Sequence, residues 1–276
     1  MYINALYRER MTDILKHDVS VYANTYQNTN PYPYMYLDNF LETGFAEALQ
    51  QEILAIPSSA WDRYANPFET KYTLRDKFAF PPLLSQLMDV LQSPNVIQQI
   101  STLTGHDLLL DTTRMYWGVH MYENGDKLDI HVDAGHHPTT HLKKQVTFGI
   151  YLSKAWTEAC GCALEIWKGT SAGDPVPRLE SKVTEIHPLF NRAVIFTCND
   201  YAWHGNPDPV HAESESRRIF ITLSYMSAST TDTNQRRKAY FVARPGDPED
   251  ADKDRLRALR ANPDTCRDIY AVASMS

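Results

Sequence analysis

The chain lacks several things, and each shortage narrows what it can be. There is no excess of positive charge: 27 Lys and Arg against 34 Asp and Glu give a formal net charge of −7. The basic footprint that nucleic-acid backbones select is therefore missing, and nucleic acid is excluded as an expected partner. Cysteine is scarce, with four in 276 residues. Cys160, Cys162, Cys198 and Cys266 are too few for a disulfide framework, and the CGC pair is too close in sequence for an easy bridge, so all four read as reduced thiols. No run of about eighteen apolar residues occurs, and the charged opening MYINALYRERMTDILKHD has no apolar core behind it. This predicts a cytoplasmic protein with no membrane partner. Internal repeats and low-complexity segments are also absent.

What is present suits a large packed core: 43% hydrophobic residues, 16 tyrosines and 5 tryptophans. The length is compatible with one domain spanning 1–276. Residues 1–110 predict a mainly helical lead-in. FLETGFAEALQQEILAI (40–56) places Phe40, Leu41, Phe45, Leu49, Ile53 and Leu54 at a three-to-four residue period, and FPPLLSQLMDVLQSPNVIQQISTLTG (80–105) reads as two helices broken at Ser93-Pro94. The intervening WDRYANPFETKYTLRDKF has no clear period and reads as a strand or a lid.

From 111 to 227 the pattern changes to eight short β-branched and aromatic runs: RMYWGVHMY, LDIHVD, QVTFGIYLS, CALEIWKG, KVTEIHP, RAVIFTC, YAWHG and RRIFITLSYM. They predict an all-β core, a jelly roll or double-stranded β-helix, with ENGD (123–126) as a hairpin turn. Helical additions at both ends would pack on this core. In the extension 228–276, PEDADKDRLRALRAN carries acids first and arginines last, as a helix dipole favours.

Four of the ten histidines fall in DIHVDAGHHPTTH. His131 and Asp133 are two apart, so on a strand both side chains leave the same face. His204, in YAWHGNP, is the best distant candidate for a third ligand. Two imidazoles and one carboxylate leave three metal positions open, an arrangement associated with non-haem Fe(II) oxygenases. Spacing alone leaves the alternative of hydrogen-bonded structural histidines open. His136, His137 and His141 follow in a Gly- and Pro-containing segment that cannot continue the strand. Arg218, inside the apolar run RRIFITLSYM, would be costly if it pointed inward without a carboxylate. Arg217 would then face the other way.

These motifs, in this order, resemble the Fe(II)- and 2-oxoglutarate-dependent dioxygenases, in particular their prolyl-4-hydroxylase-like branch. The resemblance is carried by YENGDKLDIHVD, QVTFGIYLSKAW, GCALEIW, HGNPDPV and RIFITLSY, over about residues 114–226, with a similar lead-in at PYPYMYLDNFLETGFAEAL. It implies that His131, Asp133 and His204 ligate Fe(II) and are the catalytic centre. It further implies that Arg218 binds the distal carboxylate of 2-oxoglutarate with Tyr151 as a hydroxyl donor, and that Tyr122, Leu164 and Thr222 face the same pocket. The chain departs from the family pattern at Gly161-Cys162, where Gly-Gly is common, and in the long PDPVHAESES insertion before Arg218.

The implied chemistry is hydroxylation of an unactivated C–H bond, with 2-oxoglutarate and O2 converted to succinate and CO2 and ascorbate as reductant. The presence of Asp133 favours hydroxylation over halogenation, where a small residue replaces the carboxylate; desaturation and cyclisation share the same early steps. The expected substrate is a small molecule, amino-acid-like or natural-product- or nucleotide-like. His136, His137, Lys143 and Lys144 are candidates to meet it, together with the loops at 60–79 and 227–247. Three alternatives stand beside this: a protein prolyl hydroxylase of the same chemistry, a cupin-type or zinc metalloenzyme that does not use 2-oxoglutarate, and a degenerate binding domain. Sequence gives no oligomeric state.

Overall fold

The structure is a computed structural model that describes residues 14–211, 217–228, 238–262 and 265. The expected thiol Cys266, the acidic part of the insertion at 212–216, and parts of the 227–247 loop and of the C-terminal extension lie outside the described residues.

Each of the eight runs contains a strand. In chain order the strands are β1 (Tyr34–Leu37), β2 (Trp61–Asn66), β3 (Glu69–Leu74), β4 (Leu109–Leu110), β5 (Gly118–Tyr122), β6 (Leu128–Val132) and β7 (Lys143–Tyr151). They continue with β8 (Leu164–Gly169), β9 (Leu179–Ile186), β10 (Arg192–Thr197), β11 (Trp203–Asn206), β12 (Arg218–Ser227) and β13 (Tyr240–Phe241). All pairings are antiparallel, in the order β1-β10-β7-β12-β5-β3-β6-β11-β8-β9. The sheet bends back on itself into the nearly closed barrel of a jelly roll.

Helices cover one outer face. α1 (Thr43–Leu54) is capped by the Glu42 carboxylate, which accepts from the Phe45 amide at 2.7 Å. α2 (Pro82–Leu91) and α3 (Pro94–Thr104) are separated where the sequence predicts, with Ser93 as N-cap and Pro94 opening α3. Their apolar stripes, including Leu49, Ile53, Leu87, Leu91, Ile100 and Leu103, join one core with Phe148, Ile150, Ile219, Ile221 and Leu223 of β7 and β12. Because strand side chains alternate, the residues between these, Thr147 and Tyr151 on β7 and Arg218, Phe220 and Thr222 on β12, face the opposite side, into the barrel.

One open alternative is resolved and one expectation needs correcting. The segment 61–74, read as a strand or a lid within a mainly helical lead-in, is the hairpin β2–β3, a piece of barrel wall. The ENGD turn exists, closed by the Asp126 amide on the Glu123 carbonyl at 2.9 Å with Gly125 at a φ of +86°, a conformation glycine adopts without strain. It does not close a hairpin. β3 lies between β5 and β6, pairing Tyr72 with Met121 and Glu69 with Leu128, so the turn is a corner at which the chain passes from one side of the barrel to the other. The signal was hidden because the missing neighbour comes from some fifty residues upstream.

After β12, β13 pairs with β6, and α4 (Ala251–Ala261) begins at an Asp250 cap that accepts from the Lys253 amide at 2.9 Å. Lys253 and Lys127 both pair with the buried carboxylate of Asp129, fixing the helix against the strand that carries His131. Among the described residues no helix is long and apolar enough to cross a membrane.

Candidate active site

β6 presents His131, and β11 presents His204 directly opposite it. Asp133 follows β6 by one residue and keeps the orientation of His131. The ligand-capable atoms of the three side chains lie within 4.8 Å of one another. His131 Nε2 is 3.7 Å from Asp133 Oδ1, and His204 Nε2 is 3.9 Å from Asp133 Oδ2. These separations are too long for hydrogen bonds and short enough for one ion to sit among the three atoms.

The imidazoles are oriented from behind. His131 Nδ1 lies 2.9 Å from the Asp129 carbonyl and His204 Nδ1 lies 2.8 Å from the Ala202 carbonyl. A carbonyl accepts only, so each Nδ1 carries the proton and each Nε2 offers a lone pair to the space between the rings, the tautomer a metal requires. Burial, reinforced by the neighbouring His131, pushes His204 down to about 3, so it is neutral at physiological pH.

Asp133 is held by three donors on Oδ2: Lys144 Nζ at 2.7 Å, Thr147 Oγ1 at 3.2 Å and Cys198 Sγ at 3.6 Å. Burial alone would raise its carboxyl, but Lys144 and the two imidazoles override it and keep it well below the usual carboxylate range. The donor set of two imidazoles held by their Nδ1 atoms and an ionised carboxylate suits Fe(II).

Arg218 opens β12 opposite Tyr122 on β5. Its guanidinium lies over the rings of Tyr122 at 4.7 Å, Tyr151 at 4.9 Å and Phe220 at 5.7 Å. It is 2% exposed, its Nη2 reaches the Tyr151 hydroxyl at 3.5 Å, and Nε and Nη1 are buried without a hydrogen-bond partner. Among the described residues no carboxylate lies within ion-pair distance of it. Arg217, its neighbour, is exposed and pairs with Glu123 at 3.0 Å, on the outer face as alternation requires.

One cavity of about 260 Å³ joins the two clusters. Its walls include His131, Asp133, His204, Arg218, Tyr122, Tyr151, Leu164 and Thr222, so the eight candidates named from sequence for metal and co-substrate all meet there. Of the candidates for substrate contact, the 60–79 and 227–247 segments and Lys144 reach the wall, whereas His136, His137 and Lys143 do not. His137 is 1% exposed and spends its ring inside its own loop, with Nε2 2.7 Å from Thr113 Oγ1 and Nδ1 accepting from the Thr139 and Thr140 amides. His136 and Lys143 pair with each other through the backbone and are not part of the cavity wall. Lys144 is part of it, but as the partner of Asp133 rather than as a loop residue.

The 60–79 and 227–247 segments supply wall residues that the sequence did not single out one by one, Glu69, Lys71 and Lys77 on or just after the β2–β3 hairpin and Phe241 of β13, while Tyr116, just before β5, and His120, within it, escaped the sequence analysis. His120 had a findable signal, since it and Tyr122 alternate on one face of β5. Phe241, its ring tilted with its centroid 5.1 Å from that of His131, was singled out by no local pattern.

Residues 117–226 match the sequence model of the 2OG-Fe(II) oxygenase superfamily. No curated relative matches. Among solved structures, a Pseudomonas putida prolyl-4-hydroxylase superposes with a TM-score of 0.55 at 13% identity, covering 77% of this chain and 100% of that one. A Trichoplax adhaerens prolyl hydroxylase, solved with a hypoxia-inducible-factor peptide, gives 0.54 at 19% identity over 76% of this chain and 89% of that one. The α-ketoglutarate-dependent epimerase SnoN of nogalamycin biosynthesis gives 0.52 at 14% identity over 84% and 91%. At such identities the likeness establishes the jelly-roll fold. Over residues 117–226, the barrel core, the chain is thus similar to the 2OG-Fe(II) oxygenase superfamily in sequence, and over a larger share it is similar to these oxygenases in fold.

Proposed function

We propose that the chain is an Fe(II)- and 2-oxoglutarate-dependent hydroxylase of an unactivated C–H bond in a small molecule. His131, Asp133 and His204 would hold the iron, and Arg218, with Tyr151, would bind the distal carboxylate of 2-oxoglutarate. Bound iron supplies the activation of O2 that is coupled to decarboxylation of the co-substrate to succinate, with ascorbate as an external reductant. The chain's own groups orient and exclude. Tyr122 and Phe220 flank the guanidinium and keep water from it, Lys144 fixes the carboxylate of Asp133, and Leu164 and Thr222 shape the wall.

The observation that carries this reading is the buried guanidinium of Arg218, with two nitrogens that lack a hydrogen-bond partner and, among the described residues, no carboxylate in ion-pair reach, in the same cavity as the His-Asp-His cluster. A buried cation costs several kcal/mol unless an anion joins it, on the order of what a bidentate carboxylate offsets. A metalloenzyme that does not use a dicarboxylate would have no use for it. The cavity volume of about 260 Å³, just below the roughly 300–1,000 Å³ of ligand sites, supports a small-molecule substrate over a docked polypeptide.

The test is succinate release from 2-oxoglutarate in air, with Fe(II) and ascorbate, across a panel of amino acids, natural-product-like compounds and proline-containing peptides. Substrate-stimulated release that Asp133→Ala abolishes supports the reading. Release that survives Asp133→Ala counts against it, and stimulation by peptides alone would move the substrate to a polypeptide.

A further inference from the structure

The cavity is strongly cationic. Its walls hold Lys71, Lys77, Lys144 and Arg218 against Glu69 and Asp133. Two of these charges are matched internally, Lys71 by Glu69 at 2.8 Å and Lys144 by Asp133 at 2.7 Å, and Arg218 is the group reserved for the co-substrate. Lys77 is left over. Its ammonium donates to a neutral acceptor, the Met115 carbonyl, at 2.7 Å, and among the described residues no carboxylate lies within ion-pair distance of it. The nearby Asp111 is already engaged by the Thr113 hydroxyl at 2.6 Å and the Tyr116 amide at 3.0 Å.

Lys77 is also not a freely solvated surface lysine. It is half-buried, and loss of water lowers its pKa. Its backbone is fixed by Arg114, which donates to the Lys77 carbonyl at 2.8 Å and stacks over Trp117 at 4.9 Å. On the same wall His120 is kept neutral by burial and by the surrounding cations, Lys71 and Lys77 first among them, so it adds a polar but uncharged ring.

We propose that the substrate of this site is an anion, bearing a carboxylate or phosphate group, and that Lys77 is the specificity residue that pairs with that group. The proposal rests on the dioxygenase reading in one respect: it takes Arg218 as already occupied by 2-oxoglutarate. A partly desolvated ammonium with two N–H donors free of acid partners favours a compact anion over a neutral isostere, because a charge-assisted hydrogen bond is the stronger kind. Lys77 touches none of the metal-ligand side chains, so its role is separable from theirs.

The experiment is anaerobic calorimetry on protein loaded with Fe(II) and saturating 2-oxoglutarate. The probes are acetate against acetamide, inorganic phosphate against trimethyl phosphate, and amino acids as free acids against their carboxamides. At least one anion is expected to bind about tenfold or more tightly than its neutral counterpart in wild type and in Lys77→Arg. The preference is expected to disappear in Lys77→Met, whose affinity for 2-oxoglutarate stays within about twofold. Which probe shows the preference tells carboxylate from phosphate. Equal binding of anions and neutral counterparts, no binding of any probe, or a preference that persists in Lys77→Met overturns the proposal. Absence of the iron–2-oxoglutarate chelate absorption in wild type defeats the dioxygenase reading instead, and the anion-versus-neutral comparison in Lys77→Met still decides the role of Lys77.

Discussion

His131 and His204 stand directly opposite each other in the pairing of β6 with β11, their ring centroids 4.5 Å apart. Their spacing is therefore set by sheet register and not by a loop. Gly205 makes this approach possible: a Cβ at that position would meet the Asp129 carbonyl oxygen at 2.7 Å and the Leu128 oxygen at 2.9 Å, both backbone atoms that cannot swing away. Gly205→Ala should push β11 off β6, lowering stability by about 1–3 kcal/mol and metal affinity by about tenfold or more. Thermal unfolding and Fe(II) or Co(II) titration check this, and an unchanged metal affinity would show that register does not set the ligand spacing.

Arg218→Leu separates function from stability. It removes a buried guanidinium with two unpartnered nitrogens, so without co-substrate the variant should unfold at the same temperature as wild type or higher. Its 2-oxoglutarate affinity should fall by about a hundredfold, in line with about 3 kcal/mol for a charge-assisted pair. Added 2-oxoglutarate with a metal should then raise the melting temperature of wild type and not that of the variant.

Lys144 governs the acid side of stability through Asp133. A carboxylate held below its unfolded value of about 3.9 contributes stability that is present above that pH and lost as pH falls through the folded value. Asp133 is such a group, and Lys144 is the largest influence lowering it. In Lys144→Met burial loses its largest opponent, with the imidazoles and the neutral donors left, so the folded value rises and metal-free protein should lose stability at higher pH on acidification. Denaturant unfolding between about pH 3 and 7 gives the comparison, and superimposed wild-type and variant curves would refute it.

His137→Ala should act on the fold rather than on the metal. The ring joins Thr113 to the Thr139–Thr140 turn with no exposure to the cavity. Its loss leaves buried donors unsatisfied at about 1–3 kcal/mol, with iron and 2-oxoglutarate affinities unchanged. A shift in either affinity with stability intact would return the residue to the site.

Most of the barrel was legible because strand periodicity is local. Arg218, Phe220 and Thr222 alternate against Ile219, Ile221 and Leu223, and the sequence shows which set is costly to bury. The His131-x-Asp133 pair was legible for the same reason. What stayed hidden depends on contacts between distant segments. The β2–β3 hairpin lacks a clean alternation because its β3 strand serves two neighbours at a corner, so the insertion of β3 between β5 and β6 left no mark, and the 60–79 segment stood out as a whole without resolving Glu69, Lys71 and Lys77 within it. The histidine-rich loop misled in the opposite direction. Its abundance suggested a substrate surface, whereas the threonines around His137 satisfy that ring internally, a pairing that composition does not reveal.

The central claim is that one cavity joins an iron site to a carboxylate-binding arginine. Anaerobic titration of the metal-free protein with Fe(II) and then 2-oxoglutarate tests it most directly. The account predicts a metal-to-ligand charge-transfer absorption that saturates near one equivalent of each, is lost in Asp133→Ala, and in Arg218→Ala requires about a hundredfold more 2-oxoglutarate. No absorption in wild type, or an Arg218→Ala titration that matches it, would contradict the account.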